Sequence, residues 1–108
     1  MTLALPAKGS CQCGNVTYQV VEQPLATFCC HCLDCQKLSA SSFSVSMFLN
    51  RSGFELLSGD LRMWDRSAAS GNITRCWFCP TCGNRIYHDN PEAPETVRLK
   101  PGTLDDTS

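Results

Sequence analysis

The chain has 108 residues, nine of them cysteine, and a formal net charge of −1. That length allows one small domain, and the near-neutral balance disfavours non-specific nucleic-acid binding, which needs a basic excess. No run approaches the roughly 20 apolar residues of a membrane helix and residues 1–7 are too short to target or span anything, so a cytoplasmic protein without membrane or nucleic-acid partners is expected.

In chain order, the first signal is Cys11-Gln12-Cys13-Gly14, a C-x-C pair followed by glycine. A glycine after the second thiol lets the backbone turn with positive φ and direct amide N–H groups at sulfur. Residues 15–21 follow as a strand, because Val16, Tyr18 and Val20 alternate with Thr17 and Gln19 in the period-two pattern of a half-buried strand. Next comes Cys29-Cys30-His31-Cys32-Leu33-Asp34-Cys35, after which residues 33–40 read as a helical turn. Residues 43–49 alternate again, with Phe43, Val45, Met47 and Leu49 on one side and Ser44 and Ser46 on the other. Short strands are predicted at 54–57 and 61–64, joined as a hairpin by Ser58-Gly59-Asp60. Ile73–Phe78 reads as a strand that runs into Cys79-Pro80-Thr81-Cys82-Gly83, a C-x-x-C knuckle with its own glycine. Strands at 84–87 and 96–99 complete an antiparallel, mainly β fold.

A cysteine density this high suggests a disulfide framework. The number is odd, however, no apolar signal segment is present, and the thiols stand in pairs ready to chelate one ion, so zinc is expected instead. Cys11, Cys13, Cys79 and Cys82 form two knuckles at strand ends far apart in sequence; brought together they make a four-thiolate structural site that closes a long loop. In a domain this small, metal binding contributes directly to folding. Cys30, Cys32 and Cys35 come from one stretch. Three ligands hold a zinc from one side and leave the other side open to a substrate thiol or a water, as a catalytic zinc requires. Cys29 and His31 project away from their cysteine neighbours. Cys76 and His88 are candidates for a fourth ligand that would close the site, but read more simply as a small buried strand residue and a surface histidine ending a strand.

Gly9-Ser10-Cys11-Gln12-Cys13-Gly14-Asn15-Val16-Thr17-Tyr18, Cys30-His31-Cys32-Leu33-Asp34-Cys35-Gln36-Lys37, Phe43, residues 71–75, Phe78-Cys79-Pro80-Thr81-Cys82-Gly83 and Gly102-Thr103-Leu104-Asp105-Asp106 together resemble the glutathione-dependent formaldehyde-activating enzyme family, also called the centromere protein V family. The resemblance runs in order over residues 8–106 with all seven motif cysteines in place. It implies an Mss4-like β-tent, short antiparallel strands stapled by zinc knuckles, and a single zinc-binding domain over residues 1–108. It also implies two zinc ions per chain, a structural one on Cys11, Cys13, Cys79 and Cys82 and a catalytic one on Cys30, Cys32 and Cys35. Two departures stand out: Ala40 replaces a common glycine, and the family usually continues through another strand where this chain ends at Ser108, as a C-terminal truncation would leave it.

The implied activity is that of a carbon–sulfur lyase, the formation of S-hydroxymethylglutathione or a similar adduct from a small thiol and an aldehyde, by a monomer or homodimer. Lys37, Arg75 and Arg85 are candidates for the carboxylates of glutathione. Phe43, Trp64, Trp77 and Phe78 are candidates for a pocket wall, with core the ordinary role for most of them. Asp34 can orient a ligand from beyond the metal shell, and Asp105 and Asp106 suit a turn. A non-catalytic zinc module for a protein partner is the alternative, and needs a closed second site and an exposed apolar patch. A redox enzyme similar to methionine-sulfoxide reductases needs a reactive thiol apart from the metal, for which Cys29 and Cys76 are spare.

Overall fold

Val16, Tyr18 and Val20 are fully buried while Thr17 and Gln19 are partly exposed, as the alternation in this segment requires. A computed structural model describes residues 2–67 and 71–107; the chain end at Ser108 lies outside the described residues. Its strands are β1 (Ala7–Ser10), β2 (Thr17–Val20), β3 (Ala26–Cys30), β4 (Ser44–Asn50), β5 (Phe54–Ser58), β6 (Arg62–Ser67), β7 (Ile73–Phe78), β8 (Arg85–Asn90) and β9 (Ala93–Leu99). One helix, α1 (Leu33–Ser39), follows β3. Among the described residues no helix is long and apolar enough to cross a membrane.

The strands form two antiparallel sheets, a three-stranded one in the order β1-β2-β5 and a six-stranded one in the order β3-β4-β9-β8-β7-β6. The mainly β expectation therefore holds. The core lies between the sheets: Val16, Tyr18 and Val20 from the smaller one meet Met47, Leu49, Val97, Leu99 and Tyr87 from the larger. Phe54 bridges them, its ring centroid 5.2 Å from that of Tyr18 and 4.9 Å from that of Tyr87. Cys11 and Cys79 belong to the same buried cluster, so the four-cysteine group is continuous with the core.

The expected hairpin between residues 54–57 and 61–64 does not form. β5 pairs with β2 and β6 with β7, so the segment between them carries the chain from one sheet to the other. The turn residues were read correctly, but their partner was not: Gly59 takes φ +87° and packs against the backbone of Asn15 and Val16. A Cβ there would lie 2.3 Å from the Asn15 carbonyl oxygen, so strain in φ and a backbone clash coincide. Gly59→Ala is expected to destabilise the fold by about 2–3 kcal/mol, read as a lower urea midpoint; an unchanged midpoint would contradict this packing.

Candidate functional site

Cys11, Cys13, Cys79 and Cys82 come together with their sulfurs all within 4.8 Å of one another. Cys11 and Cys13 precede β2 and Cys79 and Cys82 follow β7, and after each pair a glycine turns the chain, Gly14 at φ +83° and Gly83 at φ +77°. The turns close through Gly14 N–H to the Cys11 carbonyl (3.1 Å) and Gly83 N–H to the Cys79 carbonyl (2.8 Å). They also aim amides at sulfur: Val16 N–H donates to Cys11 Sγ at 3.3 Å and Thr81 N–H to Cys79 Sγ at 3.4 Å. The knuckles are tied to each other by Gln12 N–H donating to Asn84 Oδ1 (3.0 Å) and by Asn15 Nδ2 donating to Thr81 Oγ1 (3.0 Å). Amides of this kind favour thiolate, and the Cys82 thiol is lowered to about 6, chiefly by the backbone N–H of Asn84.

Sulfur separations of 3.5 Å for Cys11 to Cys13 and 3.7 Å for Cys13 to Cys79 test the donor set. Four thiolates around a tetrahedral zinc at about 2.3 Å stand about 3.8 Å apart. Both separations match such an ion, and the remaining ones lie within 4.8 Å.

Cys30, Cys32 and Cys35 form the second group within the same limit. Cys30 ends β3, and Cys32 caps α1, its sulfur accepting from Cys35 N–H at 3.4 Å. The helix ends at Ala40, which adopts the left-handed conformation at φ 51°, a geometry that glycine suits better. Cys30 and Cys32 are exposed and Cys35 is half-buried. The Cys30 thiol is held below its ordinary range, first by the backbone N–H of Cys32 and then by Cys35 and Cys32. Among the described residues no further histidine, cysteine or carboxylate joins this group. His31 turns to the Phe43 ring, 5.4 Å between centroids. The three-thiol set can therefore hold an ion and leave one side accessible.

Cys76 is fully buried in β7, as its strand position suggests. His88 is not the surface residue expected: it is 3% exposed in the middle of β8, with Arg85 in contact and Lys100, Arg98 and Arg66 close by. Arg75 serves differently from its candidate role, whereas Trp77 packs against the core, the ordinary role expected for it. Arg75 makes a bidentate pair with Asp89 (2.8 and 2.6 Å) and Trp77 Nε1 donates to the same carboxylate at 3.0 Å, on the core side of β7. Asp34 pairs with Arg66 at 3.2 Å rather than with a ligand. Lys37 is exposed on α1, while Phe43 and Arg85 line a cavity beside the helix. Asp89, Arg98 and Lys100 were missed. Asp89 and Arg98 sit in strands whose alternation marks them as ordinary and Lys100 just past the end of β9, and only the pairing of strands distant in sequence gathers them.

A family model described as glutathione-dependent formaldehyde-activating enzyme matches residues 6–108. A solved structure of a Rhodobacter sphaeroides protein is similar at a TM-score of 0.71 and 22% identity, over 94% of this chain and 90% of that one, which shows a shared fold. No curated protein matches.

Proposed function

Because the chain belongs to the glutathione-dependent formaldehyde-activating enzyme family, we propose that it is a carbon–sulfur lyase that forms and cleaves the adduct of a small thiol, such as glutathione, with formaldehyde. The observation that carries this reading is the three-cysteine group Cys30, Cys32 and Cys35, accessible and lacking a fourth ligand among the described residues. In the forward direction a sulfur–carbon bond forms, the carbonyl π bond breaks, and the thiol proton ends on oxygen. Cys30, Cys32 and Cys35 would hold a zinc ion, which would supply Lewis acidity and lower the pKa of a thiol brought to it.

The chain's own contribution is to fix the three thiols. Cys30 is held by the β3–β4 pairing, Cys32 and Cys35 by the first turn of α1, and Asp34 anchors the helix to β6 through Arg66. Cys11, Cys13, Cys79 and Cys82 are proposed to hold a structural zinc, making residues 1–108 one zinc-stapled domain. Nine free thiols support a reducing, cytoplasmic setting. The redox alternative is disfavoured, since Cys76 is inaccessible and Cys29 lies on β3, four strands away from β7 in the sheet order. The protein-partner module requires a closed second site.

Cys32→Ser is expected to keep the fold while zinc falls from about two to about one per chain and thiol binding disappears. Elemental analysis with circular dichroism and thiol titration measures all three. Retention of both ions together with thiol binding, or unfolding of the variant, would overturn the assignment of this group.

A further inference from the structure

The six-stranded sheet has a second face, turned away from the core. Pairing sets Cys30 against Ser44, Phe48 against Arg98, Arg98 against His88, His88 against Cys76, and Cys76 against Trp64. Residues two apart on a strand share a face, so Ser44, Ser46, Arg98 and Arg66 stand on the face of Cys30. Arg85 joins them through a bulge. Trp77 pairs with Tyr87 but Phe78 pairs with Arg85, so one extra residue in β8 turns Arg85 to the side of His88, its Nη1 3.2 Å from His88 Nε2.

Lys100 follows β9 on this basic face and is held more firmly than a surface lysine. Its backbone N–H donates to the Ile86 carbonyl (2.8 Å), and its Nζ donates to Ser44 Oγ (3.1 Å) and Ser46 Oγ (2.9 Å). Ser44 is buried and lies directly across from Cys30, and residues so opposed have β-carbons about 5 Å apart. The ammonium is therefore fixed one serine away from the three-thiol group. Two of its three protons are committed to the serines, and among the described residues it enters no ion pair, so one donor is left over. Fixing a lysine costs rotamer freedom and drawing its charge out of water costs solvation. Two neutral hydroxyls do not return both, which marks the residue as more than a structural tie.

The chemistry of the adduct needs such a group. As sulfur bonds to carbon, the carbonyl π electrons move to oxygen, which must gain a proton; in cleavage the hydroxyl must lose it. That oxygen stands two bonds from sulfur, so the group that serves it has to sit beside the place where the thiol binds. Lys100, Ser44, Phe43 and Arg85 border a cavity of about 630 Å³, a size typical of small-molecule sites. Among the described residues that line it, Arg85 and Lys100 carry the ionisable groups. A guanidinium does not release its proton in water, whereas an ammonium does. Burial, opposed by Cys35 and Cys76 and helped by Arg98 and Arg85, lowers Lys100 to about 8, where a proton passes readily in both directions near neutral pH.

We propose that Lys100 is the catalytic acid and base of the reaction: its ammonium passes a proton to the carbonyl oxygen as the sulfur–carbon bond forms, and its amine takes that proton back as the bond breaks. The proposal rests on the lyase reading above. In the forward direction the thiol proton leaves to water, a sulfur lone pair makes the new bond, the π pair goes to oxygen, and the ammonium supplies the O–H proton. The amine then recovers a proton from water, so the sum is thiol plus aldehyde giving adduct. Ser44 and Ser46 act as positioning residues that aim the ammonium.

The test compares Lys100→Gln, which keeps donors for the serines but has no proton to give, with Lys100→Arg, which keeps the charge but does not release its proton. Magnetisation-transfer NMR on the zinc-loaded proteins with formaldehyde and glutathione reads the rate of adduct exchange, calorimetry reads glutathione binding, and elemental analysis reads zinc. Both variants are expected to exchange about a hundredfold more slowly or worse, with about two zinc ions per chain and glutathione affinity changed by less than about threefold. Exchange at the parent rate in Lys100→Arg would show that charge alone suffices and overturn the proton transfer. Loss of zinc or of glutathione binding in both variants would make Lys100 a structural residue and overturn it as well. If Lys100→Gln exchanges as the parent does, this proposal falls and the lyase reading stands. If the unaltered protein does not accelerate exchange at all, the lyase reading falls and takes the proposal with it.

Discussion

Cys82→Ser is expected to unfold the domain at room temperature, and a strong chelator to do the same to the unaltered chain. Cys82 is exposed, so serine there removes almost no packing; whatever stability is lost belongs to the four-thiol group. That group joins the start of the chain to β7 and β8 across the edge of the core, with Cys11 and Cys79 buried in it. Binding of a structural zinc contributes about 10–16 kcal/mol in small zinc domains, while a domain of this size has a total stability of about 5–15 kcal/mol. Losing even half of the former exceeds much of the latter. The contrast with Cys32→Ser, in an exposed group at the rim of the sheet, is the stronger part of the prediction. Thermal unfolding of both variants, with zinc analysis, measures it. A Cys82→Ser protein that melts as the parent does would mean that hydrophobic packing alone holds the fold.

Which parts of this could be read from the sequence depends on whether their cause is local. The knuckles were legible because both chelation and the glycine turns at Gly14 and Gly83 are set by residues a few positions apart. β2 and β4 were legible from alternation. β1 was not, since Ala7-Lys8-Gly9-Ser10 has no alternating pattern and exists through its pairing with β2, where Gly9 lets the Tyr18 ring lie against the backbone. β3 was hidden by its own cysteines, which drew attention to chelation and away from strand pairing with β4. The hairpin error at Gly59 had the opposite origin, a correct local turn with a non-local partner. The basic face is the clearest case of what pattern cannot show: Arg66, Arg85, Arg98 and Lys100 come from three strands and the segment after the last, and Arg85 joins them through a single bulged residue.

Asp89→Asn is expected to destabilise the protein by about 3 kcal/mol, although Asp89 carries no part of the proposed chemistry. Its carboxylate is 1% exposed and accepts from Arg75, Trp77 and Arg51, tying the turn after β4 to β7 and β8. Removing one partner of a buried charge network costs about 3–5 kcal/mol. The lower end applies because Arg51 and Arg75 are 43% and 28% exposed and water can take up part of their charge. An asparagine in the same space points an NH₂ at guanidinium donors, so little of the bonding is recovered. The pH dependence identifies the cause. Burial works against the ionised carboxylate, but the hydrogen bonds from Arg75, Trp77 and Arg51 outweigh it and hold Asp89 below the ordinary carboxyl range. A group with a depressed folded pKa contributes fully above its unfolded value, about 3.9, and loses that contribution as pH falls through the folded one. The gap between parent and variant should therefore be constant from about pH 5 upward and narrow in acid. Chemical denaturation across that range measures it, and a gap under about 1 kcal/mol, or one that ignores pH, would mean that Asp89 is replaceable. The expected size of the effect follows from position: through Asp89 the core side of β8 is tied both to β7 and to the turn after β4.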